Sequence, residues 1–349
     1  MSSLGTVALT HARLPHWAPA LVGVMALAAA GLPAMLLGWG VVAWVVLAVV
    51  LFLVGLPVWS LVVENRRAAT DRLMTGVIWT AFGVAVLPLV WLVSVVIDQG
   101  AAAINADFLT YSMRGVIGDE QGGIYHALVG TLLITLAATL ISVPVGLLTA
   151  IYLVEYGAKS RLARWITFLV DVMTGIPSIV AGLFAFALFA LFFGPGIRLG
   201  VMGSVALAVL MIPIVIRSAE EILKIVPNHL REASYALGTP KWKTIVKIVL
   251  PTALAGLVTG VMLAVARIIG ETAPLLVTTG VVDSMNANPF NGRMQNLAVY
   301  AFGEYRTPGV AKEAAFDRAW AAALTLIAIV MILNLLARLV YRRFGTEIR

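Results

Sequence analysis

Residues 232–251 read Glu-Ala-Ser-Tyr-Ala-Leu-Gly-Thr-Pro-Lys-Trp-Lys-Thr-Ile-Val-Lys-Ile-Val-Leu-Pro. The stretch reads as helix, turn, helix. Just upstream, Pro227 and Asn228 suit a helix start. Leu230, Ala233, Ser234 and Leu237 recur at i, i+3, i+4 and i+7, which gives one narrow face of small and apolar residues. Gly238 suits the stop, because the residue after a helix end commonly needs positive φ, and Pro240 suits the first turn of the next helix. Lys241, Lys243 and Lys247 make that second helix basic. A small-residue helix of this kind can lie in a groove of a partner. The plainer alternative is an amphipathic helix resting on lipid headgroups with its basic residues toward them.

The surroundings of this basic stretch are apolar. Of the 349 residues, 61% are hydrophobic and 12% charged, against ~45–50% and ~25% in soluble domains. The mean hydropathy of +1.00 agrees. That excludes a disordered chain and a single soluble domain, whose surface would be sticky. Eight segments are long and apolar enough to span a bilayer: 18–37, 39–63, 73–97, 125–154, 165–193, 201–216, 253–269 and 319–337. The first is too long, and too closely followed by a second, to read as a cleaved signal peptide. With a cytoplasmic N-terminus, the inside segments carry 17 Lys and Arg and the outside segments 6. This bias places both termini and the 217–250 loop in the cytoplasm. It also explains the net charge of +7 without a nucleic-acid partner.

The chain lacks cysteine, and its four histidines show no metal-ligand spacing. No phosphate-binding glycine loop or dinucleotide fingerprint is present, so any ATP is hydrolysed by another chain. No nucleophile–base pair is visible either. The expectation is a transport subunit, not an enzyme, that binds no cofactor. Residues 1–72 read as an N-terminal transmembrane hairpin with a basic loop, Ser60 being the one polar residue within its spans. Residues 73–341 read as the working core and 342–349 as a cytoplasmic tail.

Polar residues inside spans are costly, at least ~2.5–3.5 kcal/mol for a central Arg or Asp, and so are candidates for function. Arg267 and Glu271 stand four apart and can pair on one helix face. Gly256, Gly260 and Ala264 share that face and permit close packing. Arg267 suits an oxyanion because its guanidinium presents a fixed fork of donors. The alternative is a pair that only neutralises itself and locks packing. Asp171, Gly175, Ser178 and Gly182 share a face of the fifth span, and Gly175 with Pro177 should break or kink it, freeing backbone N–H groups for an anion. Asp171 is a counter-ion to Arg267, a proton acceptor, or a structural partner between helices. Thr131, Thr135, Thr139 and Ser142 form a hydroxyl stripe that reads mainly as bonds back to its own helix.

The pattern E-A-x-x-x-x-G followed by I-x-L-P, carried by Glu232, Ala233, Gly238, Ile248, Leu250 and Pro251, resembles the EAA loop of ABC importer permeases, with Ser234 where a second Ala is usual. The resemblance covers roughly residues 125–341. Within that family, Arg267-Ile-Ile-Gly-Glu271-Thr272-Ala-Pro-Leu-Leu resembles the signature of PstA-type subunits of phosphate importers, and 171–182 and 334–338 fit as well. The resemblance implies an all-α, six-helix type I importer core with the extra hairpin. It implies docking of 217–250 on a nucleotide-binding subunit through Glu232, with a bend at Gly238. Its implied partners are a PstC-type permease, two copies of the ATPase that uses ATP and Mg, and an external phosphate-binding protein. A substrate path through Arg267, Glu271, Thr272, Asp171 and Ser178 is expected. The competing readings are a permease for sulfate or molybdate and an ion-coupled secondary transporter. The hairpin at 18–63 lies outside the family pattern.

Overall fold

The computed structural model describes residues 13–118, 120–157 and 160–344; the last five residues of the expected tail lie outside it. No strand occurs among the described residues. The chain forms α1 (Ala18–Leu36), α2 (Val41–Val63), α3 (Arg66–Ala101), α4 (Ala106–Thr110) and α5 (Tyr125–Ile151), which runs on into a π turn (Tyr152–Tyr156). Then come α6 (Arg161–Thr174), α7 (Ser178–Phe193), α8 (Gly200–Ile225) and α9 (Asn228–Ala236). A short α10 (Lys241–Thr244), a second π turn (Ile245–Val249) and α11 (Leu250–Ile268) follow one another without a gap. The chain closes with α12 (Ala273–Thr278), α13 (Leu297–Arg306) and α14 (Lys312–Phe344).

Seven stretches of helix are long and apolar enough to span a membrane, and the pair α6 and α7 passes the same test together. Eight apolar segments are therefore present, but the fifth is not one straight helix. α6 and α7 meet at 107°, because Gly175 and Pro177 interrupt the backbone ladder. The sixth and seventh spans are longer than their apolar runs. α8 reaches Ile225, and α10–α11 form one continuous stretch from Lys241 to Ile268. The irregular part of the basic loop thus shrinks from 217–250 to the segment around α9.

Contacts divide the chain into two compact units, residues 1–94 and 95–349, with the division inside α3. In the first, α1 and α2 form an antiparallel hairpin that turns at Gly38, whose φ of 64° suits a residue without Cβ. Its apolar side chains are mostly exposed, which is the surface a lipid-facing helix presents. Its polar residues gather at one point. The Glu64 carboxylate accepts hydrogen bonds from Ser60 Oγ (2.6 Å), Leu14 N (2.7 Å), Arg72 Nε (2.9 Å) and Arg72 Nη2 (2.8 Å). The Arg72 guanidinium above all holds Glu64 down to about 2.

The second unit is built around α8, more than half of which is buried. Ile134 and Ala138 of α5, Leu207, Met211 and Val215 of α8, and Ala264 and Ile268 of α11 form one core; Leu275 of α12 joins it. A second cluster continues this packing toward α9 through Ala150, Ala219, Leu223, Val249 and Ala253. The close α8–α11 approach rests on Gly256 and Gly260. A Cβ at Gly256 would fall 2.7 Å from Ile222, and one at Gly260 would fall 2.9 Å from Ser218. This is the packing that the small-residue face of the seventh span predicts.

Candidate functional site

Two regions of the second unit hold the sequence-derived candidates, and the α10–α11 rod joins them. At one end lies α9. Pro227 is its N-cap, and Gly238 follows it with φ of 73°. Glu232, Ala233, Tyr235 and Leu237 are exposed, Leu237 to 86%. Of the expected small and apolar face, only Leu230 and Ser234 turn inward. Ser234 is buried and its hydroxyl shares a 2.8 Å hydrogen bond with Thr244 on α10. Farther along the rod, Ile248 lies in the π turn, and Leu250 and Pro251 open α11. Pro251 lies inside the continuous rod and has no N–H for the helix ladder; it falls directly after the π turn, where the regular ladder is already interrupted.

The residue that fixes α9 is one that the sequence reading passes over. Arg231 donates from Nε (3.0 Å) and Nη2 (2.8 Å) to Glu155 in the first π turn. It also donates to the carbonyls of Val226 (2.6 Å) and Leu223 (3.0 Å). The two side chains are 12% and 4% exposed. The partners are 76 residues apart in sequence, so no spacing rule could have paired them. The only hint was an arginine directly before Glu232.

At the other end of the rod the backbone breaks twice. α11 stops at Ile268, and α12 starts at Ala273. Arg267 sits in the last turn of α11, exposed, with no hydrogen bond or ion pair among the described residues. The expected i, i+4 pair with Glu271 does not form, because Gly270 and Glu271 already lie beyond the helix. Thr272 is the N-cap residue of α12. The second break, at Gly175–Pro177, opens α7 with Ser178, half-buried and without a side-chain hydrogen bond. α7 and α12 touch backbone to backbone. A Cβ on Gly182 would stand 2.6 Å from Pro274 Cα, so only glycine allows this approach. Gly182 lies one turn after Ser178, on the same face. The two interruptions therefore belong to helices that pack on each other.

Asp171 is separated from this place. The 107° bend removes it from the face of Ser178 and Gly182, which corrects the shared face expected for the fifth span. Nor is it a counter-ion to Arg267: it pairs with Arg217 of α8, which also binds Glu220 (2.8 Å), itself bound to Lys224 (2.7 Å). The hydroxyl stripe on α5 behaves as the plainer reading has it. Thr131, Thr139 and Ser142 each donate to the carbonyl four residues back. Thr131 also accepts from Leu297 N (2.8 Å) at the start of α13.

The family described as binding-protein-dependent transport system inner membrane component matches residues 142–349. The chain is 47% identical over 277 residues to "Phosphate transport system permease protein PstA 1" of Mycobacterium tuberculosis (strain ATCC 25618 / H37Rv), covering 79% of this chain and 88% of that one. It is 37% identical over 279 residues to "Phosphate transport system permease protein PstA" of Haemophilus influenzae, covering 79% of this chain and 95% of that one. Among solved structures, a bacterial ABC transporter involved in import of the acidic polysaccharide alginate aligns with a TM-score of 0.55 over 77% of this chain and 96% of that one, at 14% identity. That likeness is one of fold.

Proposed function

The chain belongs to the binding-protein-dependent transport system inner membrane components, and within them to the PstA permeases; from that premise we propose how it works. It is a multi-pass membrane protein and the permease subunit of an ATP-driven phosphate importer. Relatives named for phosphate, at 47% and 37% identity over most of the chain, support phosphate over sulfate or molybdate. The chain pairs with a PstC-type permease and with two copies of a separate ATPase subunit that uses ATP and Mg. An external phosphate-binding protein delivers the substrate. Both termini and α9 face the cytoplasm, a reading that the bias of basic residues supports. Residues 18–63 are a hairpin added to the 73–341 core.

The single observation that carries the mechanism is the unbroken rod from Lys241 to Ile268. At ~1.5 Å per residue it is about 40 Å long. One end is bonded to α9 through Thr244 and Ser234; the other ends in Arg267. The ATPase docks on the outward face of α9, where Glu232, Ala233, Tyr235 and Leu237 are exposed and Glu232 meets a basic group. Closure of the ATPase dimer displaces α9. Ser234–Thr244 passes the displacement to α11, and Arg231–Glu155 passes it to α5. The core then shifts between outward and inward openings.

At the far end, Arg267 has no acceptor among the described residues and so has its donors free for a phosphate oxygen. Glu271, near it in sequence but unpaired with it, limits how tightly the anion is held. Ser178 and Thr272 contribute hydroxyls at the two helix interruptions, and the first turn of α7 leaves backbone N–H groups without intrahelical partners. Asp171 acts on the path only through Arg217. Radiolabelled phosphate uptake and ATPase activity, read in parallel on the reconstituted importer, test this. Arg267→Gln should assemble and hydrolyse ATP yet move little phosphate. Glu232→Ala should uncouple or lower ATP hydrolysis. Uptake that survives Arg267→Gln removes Arg267 from the path, and unchanged activities in Glu232→Ala remove α9 from coupling.

A further inference from the structure

We propose that the first unit holds a binding site for an anionic phospholipid, with the phosphodiester between Arg13 and Arg67 and the acyl chains along Phe52, Leu56 and Trp79. The site is a cavity of about 780 Å³ between the α1–α2 hairpin and the first turns of α3, within the ~300–1,000 Å³ of small-molecule clefts. Its lining is divided. Arg13, Arg67, Asp71 and Arg72 line it with the link between α2 and α3, and Phe52, Leu56 and Trp79 line it two or more turns farther along those helices. The polar end lies at the link between two spans, residues 64–65, which is headgroup depth in a bilayer.

The charges are not equally available. Arg72 is committed to Glu64, and Glu64 is saturated by Ser60, Leu14 N and both Arg72 nitrogens. Arg13 and Arg67 make no hydrogen bond or ion pair among the described residues and are exposed. Against them stands one uncommitted acid, Asp71, so the mouth of the cavity has one positive charge in excess. A phosphodiester carries one negative charge. A free phosphate ion would satisfy the arginines but would leave the apolar wall uncovered. A lipid satisfies both ends, and basic pockets between spans are where membrane proteins hold acidic headgroups.

The test is native mass spectrometry of the intact, delipidated importer titrated with phosphatidylglycerol, with phosphatidylcholine as the neutral lipid. The wild type should retain phosphatidylglycerol over phosphatidylcholine. Arg13→Gln/Arg67→Gln should lose about 30-fold in phosphatidylglycerol affinity, at ~1 kcal/mol per basic residue near a membrane surface. Thr75→Trp, which fills the cavity with the arginines intact, should lose the lipid too. Arg66→Gln removes a neighbouring charge that does not line the cavity and should change little. Inorganic phosphate at the lipid's concentration should leave the lipid bound. The proposal is overturned if the double variant retains phosphatidylglycerol like the wild type, or if Arg66→Gln loses as much. It is also overturned if Thr75→Trp still binds, or if inorganic phosphate displaces the lipid. Melting temperatures close to the wild type's confirm that each variant folds.

Discussion

Arg231 and Arg267 lie in the same polypeptide stretch, one in α9 and one at the far end of the α10–α11 rod, and they are opposites. Arg231 is almost enclosed and donates to a carboxylate and two carbonyls. Arg267 is exposed and has no acceptor among the described residues. Arg72 resembles the first, since it is closed onto Glu64. Identical side chains thus do different work. A guanidinium whose donors are used up holds backbone elements together, whereas one left open is available to something the chain does not contain.

The sharpest way to break this contrast is to neutralise both arginines and compare. Arg267→Gln should lower phosphate uptake by about 100-fold, the loss of a charged hydrogen bond worth ~1.5–3 kcal/mol, while the melting temperature of the purified complex stays near the wild type's. Arg231→Gln should show the reverse weighting. It leaves Glu155 enclosed without its cation, so stability should fall by about 3 kcal/mol, seen as earlier thermal unfolding in detergent. Glu155→Met/Arg231→Met, which removes both charges, should lose less than the single variant. If Arg267→Gln instead unfolds early, the two arginines are alike and the contrast fails.

Smaller effects sharpen the picture. Gly238→Ala forces a residue with a Cβ into φ of 73° and should cost about 1 kcal/mol. Its Cβ would meet nothing within 4 Å, so the whole loss is backbone strain. ATPase activity should become less dependent on substrate delivery as α9 settles differently. A last effect, set apart by its dependence on pH, concerns Glu64, another saturated group. Its carboxyl is held at about 2, below its ordinary 4.5, so the ionised form is favoured in the folded chain. The stability this adds is complete above pH 4.5 and is lost as the pH falls through about 2. The melting gap between wild type and Glu64→Gln should accordingly be constant at neutral pH and narrow progressively below pH 4.5.

The contrast also separates what the sequence could tell from what it could not. Apolar runs located the seven helices long and apolar enough to cross a membrane and the bent α6–α7 pair, and Gly238 with Pro240 located the turn beside α9, because those signals are local. The Gly256 and Gly260 face was legible because three- and four-residue spacing is enough to place side chains on one side of a helix. Pairings across the fold were not legible. Nothing links Arg231 to Glu155 before the chain is folded, and Asp171 looked as though it belonged with Ser178 until the Gly175–Pro177 bend separated them. The Arg267–Glu271 pair failed for a related reason: i, i+4 spacing implies a contact only while the helix continues, and Gly270 ends that condition. Helix interruptions are therefore where pattern reading and three-dimensional placement diverge, and here both candidate path interruptions sit at such points.

The two π turns, Tyr152–Tyr156 and Ile245–Val249, lie on the two helices to which α9 is tied. Each carries one residue more than an α turn would. A metallurgist would call such a surplus a dislocation: it can travel along the lattice while only one bond at a time is broken. A perfect helix pushed at one end can only move as a whole. When a surplus residue is passed along a helix, the residues between its old and new positions shift by one place and turn by about 100° about the axis, while both ends keep their places. A push on α9, as proposed for the ATPase, would thus turn residues within α5 and α11 as well as shift them.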